Sequence, residues 1–266
     1  MSNAVTGSDE QRCALRSVAL PSEHGGWGLT IEPGLLGILI APSWAGVCLA
    51  CAALLAFVIR TPIKLVLVDR RRHRRLARTD LAAKVAAVEG AVLVALIVGS
   101  LALADDRWFW IALIPAVPFV AVELWYDVRS RSRRLAPEIA GALAVAFVAP
   151  AIVLADGGDP EVALAIWFVL AARIVGSVCH VRTQIARVHD RAVRASTNLI
   201  ADTVAVGAAV VATLIDRALW PALLCVIGII AFQAVRRRQS LWPVPVIGVS
   251  QMLLGIGLVV VTALAA

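Results

Sequence analysis

Long apolar runs separated by short charged clusters fill the chain from about residue 27 to its end. Nine runs can be read, at about 27–41, 43–60, 81–104, 107–127, 136–155, 161–182, 194–215, 218–235 and 243–265. Most approach the ~20 apolar residues an α-helix needs to cross the hydrocarbon core of a bilayer. The pattern predicts an all-α polytopic membrane bundle of about nine transmembrane helices. Residues 23–266 form that domain, and residues 1–22 are a polar tail expected to be disordered. The first run is short and contains Glu32-Pro33, so it could join the second as one re-entrant unit. A proline at depth is tolerated where neighbours re-satisfy the backbone. Two separate spans are preferred because the charge pattern requires them. Trp108, Phe109 and Trp110 open the fourth run as an interfacial aromatic group.

Charge adds an orientation. Only 16% of the 266 residues are charged and 61% are hydrophobic, against roughly a quarter charged in a soluble domain. With nine spans, alternate connections fall on opposite sides. The tail, 60–78, 129–134, 182–194 and 236–238 then share one side and carry 21 of the 25 Lys/Arg residues. Only Arg107 and Arg217 fall on the other side, with Asp105, Asp106, Asp156, Asp159, Glu161 and Asp216. Basic short loops stay cytoplasmic. The expected location is therefore the cell (inner or plasma) membrane, with a cytoplasmic N-terminus and an extracytoplasmic C-terminus. The segment from Arg60 to Arg78, with eight Lys/Arg residues, is expected to be the main cytoplasmic loop. The net charge of +7 is then a topology signal, and no nucleic-acid partner is expected. The first 20 residues lack the apolar core of a signal peptide. The five cysteines form no CxxC pair, so neither a disulfide framework nor a zinc site is indicated.

Polar residues near the spans cluster towards the basic side. Arg60 and Lys64 stand at i,i+4 and share a helix face, as do Glu123 and Asp127. Glu23 and His24 precede the first span. One His and one Glu make no metal site by themselves, and a helix entrance explains them equally well. Arg173 lies inside an apolar run, with Ser177 on its face and His180 and Arg182 beyond. An intramembrane Arg is costly and usually faces a bundle interior or a wet cavity. Pairing with Glu123, Asp127 or Asp202 would explain it structurally, and holding an anionic ligand would explain it functionally. Arg60 and Lys64 could likewise be plain interface anchors. Glu32, Glu89, and the i,i+4 pair Asn198 and Asp202 could line a cavity or hydrogen-bond between helices.

The stretch PSEHGGWGLTIEPGLLGILIAPS, followed by RTPIKLVLVDRRR, resembles the YwiC-like family of bacterial integral membrane proteins, whose biochemical role is unassigned. More distantly, nine spans with a cytoplasmic amino end, and YDVRSRSRRLAPEIAG after the fourth, are similar to the UbiA superfamily of membrane prenyltransferases. That resemblance implies a UbiA-like arrangement, with sites after the second and sixth spans. Those enzymes carry aspartate-rich motifs there that bind magnesium and an isoprenoid diphosphate. This chain departs from the pattern, offering only Asp69 in the first region, and Arg182 with only Asp190 in the second.

The leading expectation is a protein that binds or transforms an amphipathic, anionic, isoprenoid-like molecule in a cavity open to the cytoplasmic side. Membrane lipids are its other expected partners. Arg60, Lys64, Arg173 and Arg182 would hold the anionic head, with Arg60, Lys64, Glu123 and Arg173 lining one cavity. Glu23, His24, Glu123 and Asp127 are the acid–base or positioning candidates. If it is an enzyme, a UbiA-like transferase or related lipid-modifying activity is implied. No cofactor or metal is expected: arginines bind an anion directly, whereas one carboxylate per loop is a poor magnesium site. A small transporter, with Glu32, Glu89, Arg173 and Asp202 along its path, and a non-catalytic membrane assembly factor are the alternatives.

Overall fold

The computed structural model describes residues 26–73, 76–129, 131, 134–192 and 194–266. The described residues are helical throughout apart from turns. Helix α1 spans Gly26–Ile40 and α2 spans Trp44–Arg71. The Ser43 hydroxyl caps α2 by accepting from the Gly46 N–H at 3.1 Å, satisfying one of its unpaired first-turn donors. Helix α3 is Ala77–Leu103. A 3₁₀ turn, Phe109–Leu113, precedes α4, Ala116–Val128. Helices α5, Leu135–Ala146, and α6, Val148–Ala155, run almost continuously. Next come α7, Pro160–Val188, and α8, Ala195–Ile215. A short 3₁₀ turn, Arg217–Leu219, leads into α9, Trp220–Arg236, and α10 is Val244–Ala265.

Among the described residues, seven helical stretches are long and apolar enough to cross a membrane, with α5 and α6 counted as one. The other two apolar runs fold into shorter pieces, α1 and the 3₁₀–α4 segment. Proline chemistry explains the breaks. Pro115 immediately precedes α4, and Pro118 and Pro150 sit in the first turns of α4 and α6. A missing N–H costs nothing in a first turn but ends whatever helix runs into it.

The expected loop at 60–78 is corrected. Helix α2 continues eleven residues past Arg60, through Pro62, and α3 begins at Ala77. Arg70 and Arg71 suit the negative C-terminal end of its dipole. Asp69 is buried and accepts a hydrogen bond from the Thr79 hydroxyl at 2.7 Å, with Arg78 at 3.5 Å. The end of α2 is thereby tied to the first turn of α3. Helix α7 likewise runs six residues beyond the end of its apolar run at 182.

The long α7 is the axis of the core. It packs against α5, α6, α8, α9 and α10, and its buried face includes Ile166, Val169, Leu170 and Ile174. Helix α3 buries little of itself and packs chiefly along α2. Turns gather at two ends. At the basic end the Arg71 guanidinium donates to the Val128 carbonyl at 2.9 Å, and Arg187 donates to the Gln239 carbonyl at 3.3 Å. At the opposite end the Asp105 N–H donates to the Ala155 carbonyl at 2.8 Å.

Candidate functional site

Two polar clusters stand out in this apolar bundle. The first lies at the basic end, between α2 and α4. Arg60 meets Glu123 at 2.6 Å and grips Asp127 with two N–H groups, Nε at 2.6 Å and Nη2 at 3.0 Å. Lys64, one turn on, reaches the same Asp127 at 3.4 Å. The i,i+4 spacing on both helices produces this four-residue lattice. Asp127 is buried, while the Arg60 and Lys64 side chains keep 24% and 31% of their exposure. The bidentate grip fixes the guanidinium plane as well as its position. Glu123 lies so close to Gly141 of α5 that a Cβ there would collide with its carboxylate. One turn away on α5, Glu138 pairs with Arg182 of α7 at 2.7 Å, in an exposed bridge. Gly141 and Glu138 share a face, so this bridge continues the same polar end.

The second cluster is buried among α1, α7, α9 and α10. Arg173 pairs with Glu32 at 3.2 Å, and both side chains are almost fully enclosed. Its Nη2 also donates to the Gln251 carbonyl at 2.5 Å, and Nη1 to the Gln251 side chain at 3.4 Å. Gln233 donates to that same side-chain oxygen at 3.1 Å. A Cβ on Gly255 would strike the Glu32 carboxylate, so the glycine is what admits the acid between the helices. Three groups of this cluster have no partner among the described residues: Arg173 Nε, Gln233 Oε1 and Gln251 Nε2. A cavity of about 10 Å³ adjoins Arg173, Ser177 and Gln233, room for about one water.

The structure thus brings Arg60, Lys64, Glu123 and Asp127 together and sets Arg182 beside them. It keeps Arg173 apart. The cavity at Arg173 is lined from α7, α9 and α10 and not by Arg60, Lys64 or Glu123. Arg173 takes Glu32 as its acid, not Glu123, Asp127 or Asp202, because the first two are engaged by Arg60 and the third by Arg237 at 2.5 Å. Asn198 exchanges hydrogen bonds with Thr183 at 2.9 and 3.1 Å, so this face of α8 packs against α7 and α9. Glu89 keeps one carboxylate oxygen without a partner among the described residues. Glu23 and His24 lie outside the described residues. Among those described, no group of three His, Cys, Asp or Glu side chains is placed to hold a metal ion. Sequence reasoning passed over Gln233, Gln251, Glu138, Gly141 and Gly255. The two glutamines carried a usable signal, since a carboxamide inside an apolar span needs a partner; the glycines carried none.

The YwiC-like protein family model matches residues 20–153, just over half of the chain. The chain belongs to this family. The match takes in Glu32, Arg60, Lys64, Glu123, Asp127 and Gly141, and ends before Arg173. No curated protein and no solved structure matches the chain.

Proposed function

We propose that the protein binds an amphipathic anionic molecule at the basic end of the bundle, with its head at Arg60 and Lys64 and its isoprenoid-like tail in the bilayer. The supporting observation is the lattice of two partly exposed cations on two acids, one of them buried. Asp127 orients Arg60 from behind, so its planar donors are positioned before a ligand arrives, which lowers the ordering cost of binding. Phosphate and carboxylate oxygens suit those donors. Glu123 and Asp127 would hold the cations, and Glu123 would exchange a proton if the bound molecule is transformed. Arg182, one turn along α5 through Glu138, would extend the cationic rim. The exposed Val120, Leu124 and Trp125 of α4 offer an apolar wall for the tail. Magnesium is not required in this reading: Asp69 is already engaged by Thr79 and Arg78. The positive-inside rule puts this end in the cytoplasm.

The test is identification by mass spectrometry of what co-purifies in mild detergent, with and without EDTA. Retention should survive EDTA and fall about tenfold or more in Arg60→Gln and Lys64→Gln. Strict magnesium dependence, or unchanged retention in both variants, would reject the reading.

One observation favours a second reading, a small permease. The buried Arg173–Glu32 pair stands beside the helix-interrupting Pro33, among polar groups with incomplete hydrogen bonding. Intramembrane ionisable groups and broken helices mark transport paths. Solute uptake by proteoliposomes that is lost in Glu32→Gln but kept in Arg60→Gln would favour it.

A further inference from the structure

A cleft between α7, α9 and α10 at the basic end belongs to neither cluster described above. His180 and Gln184 of α7 line its inner side, Arg236 and Phe232 of α9 one wall, and Trp242 and Ser250 the other. Its interior measures about 10 Å³. About one oxygen atom fits inside, with the bulk of any ligand left at the mouth. His180 is only 3% exposed, and its Nδ1 has no hydrogen-bond partner among the described residues. A buried polar atom left unsatisfied is costly, so an unpaired imidazole nitrogen lining a cleft points to an absent partner. Gln184 is buried as well, and its oxygen accepts from Arg187 at 3.4 Å, which leaves its N–H₂ as donor capacity.

The mouth has a composition of its own. The Arg236 guanidinium stacks on the Trp242 ring at 3.6 Å. It donates to the Ser240 carbonyl at 2.9 Å and also to the Gln239 side chain. Two of its five N–H groups therefore fix the turn that carries Trp242. Phe232 is exposed on the outer side, where the lipid would lie. The carboxylate of Asp202 on the neighbouring α8 is taken by Arg237. The cleft thus combines a buried donor-rich interior, a fixed cation at the mouth and an apolar outer flank.

We propose that this cleft binds the phosphate group of a membrane lipid. An oxygen of the phosphate takes the Nδ1–H of His180 and the amide of Gln184, and Arg236 neutralises its charge. The glycerol and acyl part leaves past Phe232 and Trp242. The site is independent of the Arg60 lattice, so either can fail without the other.

The test uses the full-length protein reconstituted in mixed phosphatidylglycerol and phosphatidylcholine bilayers, released into native mass spectrometry. The wild type should retain a phosphatidylglycerol. Arg236→Gln, His180→Phe and Ser250→Trp, the last filling the cleft, should each reduce its retention by about tenfold, while Arg217→Gln, at the exposed opposite end, should not. Arg236→Gln is the smallest of the three changes, at a half-buried side chain that also holds the Trp242 turn, and its thermal unfolding, compared with the wild type, separates lost lipid binding from lost folding. Added inorganic phosphate separates the two sources of the group. Lipid retained in its presence identifies a headgroup site, and lipid displaced by it identifies a phosphate site that free anions also fill. Retention that is unchanged in all three cleft variants, or lost in Arg217→Gln instead, would overturn the proposal.

Discussion

Arg173 makes one ion pair and leaves its Nε unpartnered in an enclosed site. Removing one member of a buried pair strands the other charge, at a cost of about 3–5 kcal/mol. Arg173→Gln should therefore lower the thermal unfolding temperature in detergent sharply, and Glu32→Gln should do the same. The double variant should recover much of the loss, because two neutral amides can bond where one orphan charge cannot. A double variant as unstable as the sum of the two singles would show that the pair does not act as a unit. Gly255→Ala probes the same contact from the other helix. Its methyl would displace the Glu32 carboxylate, and such overpacking costs about 1–3 kcal/mol. It should also add little to Glu32→Ala, where the obstructing carboxylate is gone; full additivity there would count against steric contact. At this scale the sequence was readable only where partners are close along the chain. The spacings of Arg60 with Lys64 and of Glu123 with Asp127 announced one cationic and one anionic face. Glu32 and Arg173 are separated by 141 positions, and no local pattern links them.

Helices show the same division between what apolar pattern carries and what it does not. The nine apolar runs all appear as helical segments, because burial in lipid or protein is what the pattern encodes. Their ends were misplaced where the helix outlasts its apolar run. Helix α2 continues through charged residues to Arg71, since backbone hydrogen bonds and side-chain anchors sustain a helix in water as well. The anchor is specific: the buried Asp69 takes the Thr79 hydroxyl from the first turn of α3. Helix α3 buries little of itself against the bundle, so its position depends on α2 and on this clamp. Thr79→Val keeps the shape and removes the bond. A hydrogen bond to a charged acceptor contributes about 1.5–3 kcal/mol, so this variant should exchange amide hydrogens faster across the first turns of α3 than the wild type, with α7 unchanged. Equal protection of α3 in both proteins would assign its placement to packing on α2 alone.

Across the whole molecule, the two ends differ in charge as well as in position. The end that joins Arg71 to Val128 and Arg187 to Gln239 is the one where basic residues of α2, α7 and α9 collect. The end that joins Asp105 to Ala155 carries Asp106, Asp156 and Asp159, with Arg107 as its basic neighbour. The helix count matters here, because short segments such as α1 or the 3₁₀–α4 stretch could enter the bilayer and return on the same side. If either did so, every later connection would change sides. For the 3₁₀–α4 stretch the hydrogen bond at the basic end opposes this: Arg71 and Val128 meet only if α3 and the 3₁₀–α4 segment together cross and come back. The bias of Lys and Arg, counted over short loops, then predicts which end faces the cytoplasm. Reporter fusions placed after Arg78 and after Asp159 should accordingly give opposite signals, cytoplasmic at Arg78 and extracytoplasmic at Asp159. Signals from the same side at both positions would require an even number of crossings between them, and the basic end could no longer be a single membrane face.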